Sequence, residues 1–145
     1  MKEKFLSLFV LLFGIAAIFS PVSFGQQEIH PSTLKVKVTY NGKGEVNSTH
    51  GIHLYLFDTP DFTQGIMVMP VSMNSAWENG RVMTFSGLRA EKVYLTASYG
   101  DHDPMGPPPS GAPVGLYGQT EAKPIILDKD LVEIEFTFDD SFTMP

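Results

Sequence analysis

Three places in this 145-residue chain hold residue types that do chemistry. The first is Asp101-His102-Asp103. Alternate carboxylates on a turn can supply oxygen ligands to Ca²⁺, with backbone carbonyls completing the shell. Asp58, Asp61, Asp139 or Asp140 would join from other loops. No spacing matches an EF-hand, and the plain alternative is a solvated acidic turn in which Asp101 caps its own backbone. The second is the "HGIH" and "MVMPVSM" pair, with His50 and His53 near Met67, Met69 and Met73. Thioether and imidazole together suit copper. Methionine is also ordinary core filler, and an extended HxxH aims its two rings in opposite directions. The third is catalysis. The chain has no cysteine, and no serine stands in a G-x-S-x-G elbow. His102 beside two carboxylates imitates part of a triad, so a small hydrolase ranks behind a binding role and a metal role.

The first of these groups sits in "YGDHDPMGPPPSGAPVGLYG", residues 99–118, with five prolines. Pro107 to Pro109 favour polyproline II, which leaves carbonyls free. Fixed φ lowers the entropy lost on ordering the segment. One reading is a preorganised contact surface, with Met105, Pro108, Leu116 and Tyr117 against a partner. The other is a stiff crossover that tucks Met105, Leu116 and Tyr117 into the core. Trp77 in "NSAWENG" is likewise a stacking platform for a glycan, an interface anchor, or a plug at the end of the fold. Asn47 begins an "NST" sequon, which is chance if the chain is exported by a bacterium.

The elements that must carry these residues read as strands. "LKVKVTY" alternates over seven residues, with Leu34, Val36, Val38 and Tyr40 inward. "IHLYLF" puts Leu54 and Leu56 on one face. "IMVMPVSM" is apolar on both faces and suggests a covered strand, with an edge or bulge at Pro70. "NSAWENG" reads as a turn. "RVMTFSGL" and "KVYLTASY" follow, the latter with Val93, Leu95, Ala97 and Tyr99 on one face. A short "KPIIL" precedes "LVEIEFTF", with Val132, Ile134, Phe136 and Phe138 inward. Seven short strands at about ten-residue spacing predict an antiparallel β-sandwich. If the terminal strands share a sheet, Lys35 and Lys37 can face Glu133 and Glu135 across it.

Composition bounds the rest. Lys2 and Lys4, an apolar run from Phe5 to Phe19, and small residues at Ser23 and Gly25 predict a signal peptide over 1–25. The run is shorter than the roughly 20 residues a permanent span needs, although a retained anchor is the alternative. A single domain over 26–145 follows, periplasmic or secreted, with no membrane contact after cleavage. A net charge of −6 with two arginines argues against nucleic acid. Without cysteines, stability rests on packing.

"ENGRVMTFSGLRAEKVYLTASYGD" resembles the middle of carboxypeptidase regulatory-like domains. That resemblance implies a seven-stranded transthyretin-like sandwich. "GPPPSGAPVGLYG" and "FTFDDSFTMP" are similar to features of a family of exported bacterial domains, which implies no activity. Transthyretin-like folds include a 5-hydroxyisourate hydrolase, but its catalytic contexts and C-terminal Tyr-Arg-Gly-Ser are missing here. The expected protein is therefore a non-catalytic binding or accessory module, monomeric or weakly associating, with a protein or glycan partner. Its contact surface is expected at residues 100–118, joined by Trp77 and by Asp58 to Phe62. A metal-binding role is the alternative.

Overall fold

The computed structural model describes residues 30–64 and 67–145. The predicted signal segment and Ile66 lie outside the described residues. Eight strands form, one more than expected: β1 (Ser32–Tyr40), β2 (Gly51–Phe57), β3 (Ser72–Ala76), β4 (Val82–Leu88), β5 (Lys92–Gly100), β6 (Val114–Leu116), β7 (Ile125–Ile126) and β8 (Leu131–Phe138). The only helical element among the described residues is a 3-10 turn at Asp61–Gln64. One sheet runs β4-β1-β8, and the other runs β3-β2-β5-β6 with β7 also on β5.

Alternation builds the core. Leu34, Val36, Val38 and Tyr40 point from β1 toward Ile52, Leu54 and Leu56 of β2 and Val93, Leu95, Ala97 and Tyr99 of β5, all buried. Phe136 and Phe138 close the layer from β8, while Val132 and Ile134 are only half-buried because β8 borders the small sheet. In β4 the inward residues Phe85 and Leu88 are three apart. They pair with Leu34 and Ser32, which are two apart, so β4 carries one extra residue. Gly87 accommodates that bulge at φ 71°.

The terminal strands do lie side by side, but in parallel, which corrects the all-antiparallel expectation. Lys35 faces Glu133 and Lys37 faces Glu135, with N–O separations of 3.9 and 3.4 Å. These exposed pairs contribute a few tenths of a kcal/mol each. A second correction concerns "IMVMPVSM". Strand pairing begins only where Val71 N–H donates to the Leu56 carbonyl. Pro70 has no N–H to give, and the strand that follows is an edge strand. "NSA" of the expected turn is therefore strand, and the reversal falls on Glu78 to Gly80.

β2 is buried at every residue. Its inner face meets the core. Its outer face, His53, Tyr55 and Phe57, lies under two loops. Phe62 stacks on Phe57 with ring centroids 4.3 Å apart, and Val68 and Met73 pack beside Tyr55 and Tyr94. At the opposite end His102 folds back over His53.

Candidate functional site

The pairing register decides which chemical groups meet. Gly51 faces Gly100, Ile52 faces Ala76, and Phe57 faces Tyr94. The start of β2 and the ends of β3 and β5 thus share one end of the sheet. Trp77 and Asp101-His102-Asp103 emerge there. Asp58, Asp61 and Phe62 emerge at the other end, about 20 Å away along the strand. The structure does not bring Asp58 and Asp61 to Asp101 and Asp103. Asp140 is at the near end but accepts from the Tyr40 hydroxyl and from Lys43 N–H, and Asp139 accepts from Ser141 N–H. Among the described residues no three His, Asp or Glu side chains group as a metal cage.

The copper grouping also separates. Met67 and Met69 are 96% and 75% exposed, while Met73 packs in the small cluster with Tyr55 and Tyr94. His50 stacks beside Tyr99 at 6.2 Å, whereas His53 turns to the outer face. That divergence is the one extended HxxH spacing predicts.

The structure instead assembles a polar cluster around His53. The ring is fully buried. Its Nδ1 shares a hydrogen bond with Ser75 Oγ at 2.8 Å, and its Nε2 makes none. The His102 ring sits against it, with centroids 4.8 Å apart and planes inclined 64°. Trp77 meets His53 edge-on at 5.7 Å. His102 Nε2 and Ser98 Oγ share a hydrogen bond of 2.9 Å, and Tyr55 Oη lies 3.4 Å from that same oxygen. Burial, and then the charge of His102, holds His53 below the ordinary imidazole range; the Gly100 carbonyl and Asp103 oppose this. Burial lowers His102 too, against the pull of Asp101 and Asp103. Both rings are therefore neutral at pH 7.

Ser98 and His102 have the separation of a nucleophile and its base, but Ser98 is fully buried beneath the ring. The Asp103 carboxylate accepts from Met105 N–H rather than from His102. Among the described residues no orienting carboxylate is seen on His102, and the burial of Ser98 keeps its hydroxyl from solvent.

The five predicted contact residues fall into two groups. Trp77 and Met105 are exposed, at 46% and 73%, and belong to the His102 end of the sheet. The Trp77 ring packs against Gly51, where an added Cβ would come within 2.6 Å of it. Pro108 is half-buried. Leu116 lies in β6 opposite Thr96, and Tyr117 packs against the core with its ring near Phe136. These two line a shallow groove with Lys123 and Thr137 on the edge between the sheets. The insertion is thus neither wholly core nor wholly surface: its second half contains strand β6.

The first half is held in place. Gly106 N–H donates to the Asp103 carbonyl and Ala112 N–H to the Pro109 carbonyl. The chain's C-terminal residues then run antiparallel to it. Val114 N–H donates to the Phe142 carbonyl, Met144 N–H to the Ala112 carbonyl and Gly111 N–H to the Met144 carbonyl. Sequence reasoning missed this tail-to-loop pairing, and it missed the His53–His102 contact. Tyr55 and Phe57, alternating with Leu54 and Leu56, were the available signal that His53 stands on a covered face. No family model, curated protein or solved structure matches this chain.

Proposed function

We propose that this protein is an exported, non-catalytic binding module whose contact surface is the sheet end formed by Trp77, Met105 and the 101–113 loop. One observation carries the reading: that loop is pinned by backbone hydrogen bonds to itself and to the C-terminal tail, yet holds Met105 out at 73% exposure. An ordered loop that presents apolar side chains loses little entropy on binding, and Trp and Met are favoured contact residues. The partner class is an extracytoplasmic protein or glycan. A glycan would stack on the exposed indole; a protein would cover Met105 as well.

The test is capture from an exported fraction by the wild type and by Trp77→Ala/Met105→Ala, with circular dichroism as a control for folding. The reading predicts a species retained by the wild type and lost by the double variant. Equal retention by both proteins would defeat it. The deletion that respects the structure is 104–110, because residues 111–114 pair with the tail.

A further inference from the structure

We propose that His53 and His102 form a two-imidazole site for a late first-row transition-metal dication, copper(II) ahead of zinc(II). The arrangement of the ring nitrogens carries this. Each ring has one nitrogen tied to a serine hydroxyl: His53 Nδ1 to Ser75 at 2.8 Å and His102 Nε2 to Ser98 at 2.9 Å. Metal-ligating histidines are oriented in this way, with the far nitrogen fixed by a hydrogen bond and the near one free.

Of the remaining nitrogens, His53 Nε2 has no hydrogen bond of full geometry, although the Gly100 carbonyl bears on that ring, and His102 bonds Ser98 through Nε2, leaving Nδ1 on the other side of its ring. His53 Nε2 is wholly buried, a position where polar atoms are almost always satisfied. The two rings touch, with centroids 4.8 Å apart. Between them the chain has Gly100, at φ 151°, where an added Cβ would come 3.0 Å from His102 Nδ1. The missing side chain leaves room beside the free nitrogen.

Charge and access fit as well. Asp101 and Asp103 flank His102 in the loop, so a dication arrives in a negative field. His102 is only half-buried, which opens the site to solvent on the loop side. Two imidazoles leave coordination positions for water or for one of these carboxylates. Imidazole sites follow the order in which copper(II) exceeds zinc(II). This inference does not depend on the binding-module reading, although His102 belongs to the same loop.

The test uses the full chain, stripped of metal and titrated with copper(II) chloride, with pulsed electron paramagnetic resonance counting bound imidazoles. The expected result is one equivalent bound through two imidazoles. His102→Gln should leave one imidazole and weaken binding at least about tenfold. His53→Gln is buried and risks misfolding, so zinc(II) titration of the unaltered protein provides the second reading. Long-range ¹⁵N spectra should show His53 Nε2 and His102 Nδ1 shifting together. Copper signals indifferent to His102→Gln, or ring nitrogens of His53 unmoved by zinc(II), would overturn the site.

Discussion

Three buried tyrosines make a specific prediction about alkaline stability. Tyr40 from the small sheet and Tyr99 from the large one stack at 4.1 Å, tying the sheets together below the 101–113 loop. Tyr55 lies on the covered outer face, its hydroxyl near Ser98. Burial, then the hydrogen bond to Asp140 and that carboxylate's charge, holds Tyr40 well above the ordinary phenol range. Burial raises Tyr99, helped by Asp140 and Glu45. Burial also raises Tyr55, against its bond to Ser98.

A phenol raised on folding stays protonated in the native state while the unfolded chain loses its proton near pH 10. Stability is then complete below pH 10 and declines as pH climbs toward the folded value. A phenol raised as far as Tyr40 contributes a slope of up to about 1.4 kcal/mol per pH unit in that window, and Tyr55 and Tyr99 steepen it. Urea unfolding at half-unit steps from pH 8 to 11.5 measures the slope. Tyr40→Phe should remove about 1.4 kcal/mol per pH unit of it above pH 10, whatever it does to stability at pH 8. The part of the phenolate absorbance that Tyr40→Phe removes should rise in step with loss of the circular dichroism signal. An unchanged slope in Tyr40→Phe, or that absorbance forming while the chain stays folded, would refute the burial argument.

Four shorter predictions accompany it. Leu95→Ala, at a fully buried position, should cost about 2–5 kcal/mol in urea unfolding. Gly51→Ala would drive a methyl into the Trp77 ring; it should cost about 1–3 kcal/mol and red-shift the emission of the only tryptophan. Removing residues 142–145 should raise hydrogen exchange at Gly111 and Val114 far more than at the core of β5, because only the former donate to the tail. Asp140 is held below the ordinary carboxyl range by its bonds to Tyr40 and Lys43. Its contribution is therefore present above about pH 4 and lost on further acidification, so Tyr40→Phe should also flatten the acid limb of the stability profile.

The sequence was informative wherever one face of a strand is buried. Leu34 to Tyr40 alternate, and the structure buries the set that the alternation names. The charge match between the first and last strands was also readable, but not its direction. Lys35 and Lys37 meet Glu133 and Glu135 in either orientation, so parallel pairing has no signature in residue type. β3 was misplaced because methionines look like core. Two of them stand in solvent instead, ahead of a proline that cannot join the ladder. The cluster around His53 was hidden for a further reason. His53, Ser75, Ser98 and His102 come from three different strands and a loop, and only the register Ser75–His53–Ser98 brings them into line. Nearness in sequence instead suggested joining His102 to its own neighbouring carboxylates.

The contact between His102 and His53 tests the account most directly, since it fixes the loop on the sheet and so the surface that loop presents. Nuclear Overhauser spectra of the protein at pH 7.5 should show cross-peaks between the two imidazole rings, and between His53 and the Trp77 indole. Sharp, random-coil resonances for His102 with no cross-peak to His53 would mean that the loop does not lie there, and the proposed contact surface would go with it.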